Sequence, residues 1–193
     1  MPIRALISLR GQRAALGPLR PDHAESLARW RSDLEVRRGG GEATLRSSET
    51  EAGWIVQAAE ESASRTGARV HFAVYDVRDE AVVGFTSLFG VDRRWGTAGY
   101  GIMIGERRGT GLGSDATRLT LDWAFHVTGL HNVMLETSAW NEAGLRAYRA
   151  AGFREIGRRR GATVDLGRRH DTILMDAVAT DFDSPVLAAA AEA

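Results

Sequence analysis

The sequence predicts a single α/β (α+β) domain, a central sheet flanked by about four helices. Three observations predict it. Strand-like and helix-like segments interleave in the order β, α, α, three β, α, β, α, β, β. No internal repeat or linker divides that order. At 193 residues with 44% hydrophobic content, the chain is long enough to bury one sizeable core. The domain is expected over residues 1–181, and 182–193, which ends in Ala188 to Ala193, is expected to be a poorly ordered tail.

Leu6 to Leu19 carries short apolar runs broken by Gly11 and Gly17 and reads as the first strand. Asp22 and Glu25 in Pro21-Asp22-His23-Ala24-Glu25 have capping-box spacing, so a helix should follow, with Ala24, Leu27, Ala28, Trp30 and Leu34 as its apolar stripe. Gly39-Gly40-Gly41 breaks that pattern. Ser48-Glu49-Thr50-Glu51 is a second capping box, opening a helix through Trp54, Ile55, Ala58 and Ala59. Arg69 to Val77 and Ala81 to Phe89 alternate or run apolar on either side of Arg78-Asp79-Glu80 and form a β-hairpin. Ala98 to Gly105 is the next strand, after a turn containing Asp92, Arg93, Arg94 and Gly96. Leu119, Trp123, Ala124 and Val127 mark a long amphipathic helix from Ser114, which Gly129 terminates. Val133 to Ala139 is a strand, Asn141 to Ala151 a helix closed by Gly152, and strands near Arg154 to Gly161 and Thr172 to Val178 complete the chain.

Composition removes several chemistries. With no cysteine there is no disulfide, thiolate nucleophile or Cys-ligated zinc, and acyl transfer must avoid a cysteinyl intermediate. No metal site is expected. Every basic residue is Arg, which excludes a lysine Schiff base. The 25 basic and 25 acidic residues balance, so no global field attracts nucleic acid or an acidic membrane. The dense basic cluster Arg158-Arg159-Arg160 reads as a solvated turn. The apolar run in Met1 to Leu9 is too short for a signal-peptide core, and no segment approaches the ~20 residues of a membrane span. A cytoplasmic location is expected.

The most informative stretch is Arg108-Gly109-Thr110-Gly111-Leu112-Gly113-Ser114, between a strand and a long helix. Glycines let a backbone approach a ligand closely, and a following helix N-terminus adds partial positive charge, so the stretch reads as an anion-binding turn. A P-loop would need Lys after the last glycine, where Ser114 and Asp115 stand. A dinucleotide turn wants Gly-x-Gly-x-x-Gly early in a βαβ unit, against Gly109-x-Gly111-x-Gly113 here, after a hundred residues of other structure. The pattern Arg/Gln-x-x-Gly-x-Gly/Ala is met by Arg108, Gly111 and Gly113 without a gap. A glycine-rich turn without a ligand is the alternative.

That third pattern resembles the pyrophosphate loop of the GNAT acetyltransferases. Asn141 through Tyr148 to Gly152-Phe153 is similar to the family's Asn-x-x-x-x-x-x-Tyr-x-x-x-Gly-Phe segment. Gly11 to Ala24, Trp30 to Asp33, Glu35-Val36-Arg37 and His170-Asp171 resemble the RimJ/RimL-type branch, so the likeness covers roughly residues 10 to 180. The resemblance implies a mixed, mostly antiparallel sheet, splayed where acetyl-CoA binds, and direct transfer of the acetyl group to an amine in a ternary complex.

It further implies that the backbone of Gly109, Thr110, Gly111, Leu112, Gly113 and Ser114 holds the CoA pyrophosphate, with Arg108 at its rim. Main-chain groups of Ile102, Met103 and Ile104 would pair with the pantetheine arm. Asn141 would bond it as well as capping its helix, and Tyr148 would protonate the departing thiolate. Glu136, twelve residues before Tyr148, is the first choice as general base. Asp92, Glu106, His71 and Asp171 rank below it, a lone His on an apolar strand being more often a core residue. Many RimJ/RimL-type members carry Ser three residues after the Asn, where this chain has Gly144.

The acceptor expected is a small-molecule amine (amino sugar, amino acid or antibiotic), with a protein N-terminal α-amine as the alternative and a non-catalytic acyl-CoA-binding module as the reading from another class. Asp33, Glu35, Glu42, Glu49 and Glu51 are the candidates for an acidic acceptor groove. The frequency of dimers in the family leaves a homodimer open.

Overall fold

A computed structural model describes residues 5–40, 46–64 and 67–188. Eight strands form one open sheet in the order β1-β2-β3-β4-β5-β6-β8-β7, and five α-helices flank it. The strands are β1 (Leu9–Arg10), β2 (Ala14–Pro18), β3 (Arg69–Asp76), β4 (Val82–Asp92), β5 (Thr97–Ile104), β6 (Asn132–Ser138), β7 (Arg154–Asp165) and β8 (Arg168–Val178). The helices are α1 (Ala24–Ser32), α2 (Leu34–Gly40), α3 (Ser48–Ala63), α4 (Leu112–Asp122) and α5 (Glu142–Ala150). Neighbouring strands run antiparallel except β5 and β6, which are parallel because α4 crosses between them.

The middle strands are buried on both faces, which is why β3 runs apolar instead of alternating. Leu16, Val74 and Val83 pack under Leu112, Ala116 and Leu119 of α4. Ala15, Ala73 and Phe85 face Leu27, Trp30 and Ile55 of α1 and α3. At the other end of the sheet, Leu145 of α5 joins Leu121, Val133, Phe153 and Met175.

Several local expectations change. The single first strand is a hairpin, because Gly11 N–H turns back to Ala14 C=O at 2.9 Å. The first helix divides at Asp33, whose backbone is extended and whose carboxylate accepts Glu35 N–H at 2.8 Å to start α2. Asp22 and Glu25 do not form a box: Pro21–His23 make one 3-10 turn, Arg20 N–H donates to His23 Nδ1 and the Arg20 side chain holds Asp22. In α3 the cap is Ser47, accepting Thr50 N–H at 3.3 Å, while Glu51 turns inward to Arg31. Arg158 to Arg160 lie in β7, and the turn falls instead at Leu166-Gly167, both with positive φ.

Residues 182–188, at the start of the expected tail, make the following contacts. Asp122, wholly buried, accepts the Ser184 hydroxyl at 2.6 Å and the Val186 and Leu187 N–H groups at 3.0 Å each. Phe182 packs edge-on against Phe125. These bonds tie the chain to α4 through Leu187; residues 189–193 lie outside the described residues.

Candidate functional site

Register creates the site. β5 pairs with β6 only at Thr97↔Asn132, Ala98↔Val133 and Gly99↔Met134, while its pairing with β4 continues to Gly84↔Ile104. From Tyr100 onward β5 therefore has a partner on one side only, and its other main-chain edge faces a gap. Ile102, Met103 and Ile104 border that gap. Side chains of this segment pack into the core clusters, so the edge offered to a ligand is backbone.

The glycine stretch sits at the mouth of the gap. Gly109 and Gly111 have φ of 79° and 86°, and Gly111 is the N-cap of α4. The first α4 bond, Asp115 N–H to Gly111 C=O, spans 3.1 Å, so the N–H groups of Leu112, Gly113 and Ser114 precede the helix's own ladder. The loop is clamped at both ends. Arg107 bridges Asp76 at 2.7 Å and Asp79 at 2.6 Å; hydrogen bonds from Arg78 and then Arg107 hold the Asp76 carboxyl below its usual range, and Arg107 does the same for Asp79. Beyond it, the Asp115 carboxylate accepts Arg13 N–H at 2.7 Å and Ala14 N–H at 2.8 Å from the first hairpin. Arg108 reaches across to the Glu35 carbonyl at 3.1 Å, closing the rim between loop and α2. At Gly113 an added Cβ would meet only Ile104, at an ordinary 3.6 Å. The fold itself leaves room for a side chain there, on the wall where the N–H groups open.

Asn141 and Tyr148 stand on the far wall, on the α5 side. Asn141 caps α5 by accepting Gly144 N–H at 3.0 Å, and its amide donates to Thr137 at 3.2 Å. A Cβ on Gly144 would lie 2.4 Å from the Asn141 amide nitrogen, so the missing side chain lets the cap close. Tyr148 packs edge-on against Phe153, and burial pushes its phenol up to about 12. No described residue hydrogen-bonds its hydroxyl, which faces the cleft.

A cleft of about 880 Å³ joins these parts. One end carries Ile102 to Ile104, Arg108, Gly109, Gly111, Gly113, Ser114, Asn141 and Tyr148. Thr110 and Leu112 line a smaller neighbouring hollow with Arg13 and Arg78. The other end is walled by Leu27, Arg31, Val36, Trp54, His71 and Phe85. As site residues they escaped the sequence reading, apart from His71, because they come from five separate elements, α1, α2, α3, β3 and β4, that only packing brings together.

Glu136 is not brought into the cleft. It stands on β6 with its side chain 56% exposed and paired to Arg159 at 3.4 Å. The lower-ranked carboxylates are engaged elsewhere: Asp92 accepts the Arg94 and Trp95 N–H groups, Glu106 takes Arg29 and Trp30, and Asp171 takes Gly161 N–H and Arg158. The acidic acceptor candidates disperse as well. Only Glu35 lines the cleft; Asp33 caps α2, Glu51 is buried against Arg31, and Glu42 lies outside the described residues. Among the described residues no three His, Cys, Asp or Glu side chains cluster to share a metal ion, and no helix is long and apolar enough to cross a membrane.

The model of the acetyltransferase (GNAT) domain matches residues 13–154, most of the chain. The chain belongs to the GNAT acetyltransferase family. The probable N-acetyltransferase YjcK of Bacillus subtilis is 32% identical over 89 residues, 45% of this chain; the match spans 49%, about half, of that relative. Among solved GNAT structures, a spermidine N-acetyltransferase from Vibrio cholerae in complex with CoA and spermine superposes with TM-score 0.77 at 19% identity, covering 88% of this chain and 97% of that one. Mycobacterium smegmatis RimJ in complex with CoA-disulfide gives 0.78 at 20%, covering 93% and 88%. At such identities these likenesses speak for the GNAT fold.

Proposed function

We propose that this GNAT protein transfers the acetyl group of acetyl-CoA directly to a primary amine, with both substrates bound together. The observation that carries the reading is the unpaired edge of β5 leading from the open N-terminus of α4 to the Tyr148 hydroxyl within one cleft. The N–H groups of Leu112 to Ser114 suit a pyrophosphate, whose charge the helix terminus favours. The free edge of Gly101 to Ile104 suits the amide groups of a pantetheine arm, which would add to the sheet as a strand does. Two of the solved neighbours hold CoA or CoA-disulfide. Glycine at 113 leaves that wall clear for a ligand pressed against the backbone.

Tyr148 would supply the proton that the leaving thiolate takes. A phenol pushed up to about 12 stays protonated throughout the neutral range, as a donor requires. A small-molecule amine is the favoured acceptor. The acceptor end is apolar and aromatic, with Arg31 and His71 among Leu27, Trp54 and Phe85, and lacks the run of carboxylates a polycation would need.

The test is thiol release from acetyl-CoA with a panel of amines: amino acids, amino sugars, an aminoglycoside, spermidine and a peptide with a free α-amine. Turnover best with a small, singly charged amine is expected. Turnover confined to the peptide would favour the protein N-terminus, and tight CoA binding without turnover on any amine would overturn the transferase reading.

A further inference from the structure

An amine reaches a neutral solution mostly as its ammonium and must lose a proton before it can attack, yet the carboxylate the spacing favoured, Glu136, is outside the cleft and held by Arg159. We propose that His71 is the proton acceptor for the attacking amine, and that Ser87 carries the path between them. This rests on the acetyltransferase reading above and names a catalytic residue within it.

Strand register brings these residues into line. His71 on β3 is the direct partner of Ser87 on β4, and Ser87 is the direct partner of Gly101 on β5. Directly opposed residues share a face, so the three form a row across the sheet, about 5 Å per step. The row ends at the gap, because Gly101 is already past the last β5–β6 pair. All three line the cleft. A Cβ at Gly101 would lie 3.4 Å from the Ser87 hydroxyl oxygen, so that oxygen overhangs Gly101 at the edge of the gap. An acceptor lying across β4 has its amine between the gap and His71, within reach of the imidazole through Ser87 or one water.

His71 is not a satisfied core histidine. Its backbone N–H goes to the Ser62 hydroxyl at 3.0 Å, and its ring meets Trp54 edge-on at 5.2 Å. No described residue hydrogen-bonds either ring nitrogen. Burial depresses its pKa, Glu61 of α3 opposes that, and Arg69 on β3 and Arg31 on α1 reinforce it. The ring is therefore neutral at pH 7 and able to take a proton. In the step, the ammonium gives one proton to His71; the C–N bond forms and the C–S bond breaks; the thiolate takes the Tyr148 proton, the second N–H proton restores Tyr148, and His71 releases its proton to water.

The experiment compares wild type with His71→Gln, Ser87→Ala and Glu136→Gln on an amine that wild type acetylates. His71→Gln should lower kcat/KM about 100-fold at pH 7, with CoA affinity and melting temperature unchanged. Across a series of amines of different pKa, the acidic limb that stays fixed should vanish in His71→Gln, while the limb that tracks the acceptor's own pKa persists. Ser87→Ala should fall between, and Glu136→Gln should stay within threefold of wild type. His71→Gln within threefold of wild type, or the loss appearing in Glu136→Gln instead, overturns the assignment while the transferase reading stands. Wild type inactive on every amine overturns both.

Discussion

Asp115→Ala should destabilise the protein by about 3 kcal/mol while weakening its hold on CoA. The carboxylate accepts two backbone N–H groups of the first hairpin, at 2.7 and 2.8 Å. Ala14 is completely buried, so its N–H loses a charged partner with no water to replace it, worth roughly 1.5–3 kcal/mol. Arg13 is exposed at this bond, so water refills the site at a cost of about 0.5 kcal/mol. An acidic residue in the first turn of α4 adds about 0.3–1 kcal/mol by facing the positive end of the helix. The sum is about 3 kcal/mol, or roughly 6–12 °C in melting temperature for a chain of this size. Both N–H groups donate to the same oxygen, Oδ2, so Asp115→Asn keeps an uncharged acceptor there and should recover about half. Thermal unfolding by circular dichroism measures the shift, and calorimetric titration with CoA measures the loop. A change below about 3 °C in Asp115→Ala, with CoA affinity intact, would refute the idea that this carboxylate anchors the loop.

Tyr148→Phe should cut kcat with little change in KM for acetyl-CoA, since the hydroxyl is free in the cleft while the ring packs on Phe153; steady-state thiol release checks it. Gly144→Ser should displace the Asn141 cap, because its Cβ would stand 2.4 Å from that amide; a melting temperature lower by a few degrees and a raised KM for acetyl-CoA are expected, at about 1 kcal/mol for a lost cap. Stability should fall in acid. Hydrogen bonds from Arg78 and then Arg107 depress the Asp76 pKa, and Arg38 depresses that of Asp165. Depressed carboxylates contribute stability above their unfolded pKa near 4 and lose it as pH falls through the folded one. Urea unfolding from pH 6 to pH 2 should show this loss, flattened in Asp76→Asn.

The glycine turn, the Asn141 cap and the Gly152 stop were legible in the sequence because each is settled within a few residues of chain. Positive φ at Gly111 and Gly152 and the Asn141 cap are local backbone events, and short-range spacing records them. The capping boxes were misplaced by one and two residues: the three-residue bonds form at Ser47–Thr50 and Arg20–His23, while the expected box carboxylates Glu51 and Asp22 are taken by Arg31 and Arg20. Periodicity located the strands, since apolar runs of β-branched and aromatic residues must be buried.

What tertiary structure alone decided is the pairing register. No sequence pattern announces that β5 and β6 part after Gly99, because separation is set by where α4 and α5 hold the two strands. The same register carries Glu136 onto an exposed face where the Arg159 side chain reaches it, and aligns His71, Ser87 and Gly101, spread over thirty positions of chain, into one line ending at the gap. Local backbone chemistry was thus written in the sequence, and the meeting of distant side chains was left to the packing of sheet against helix.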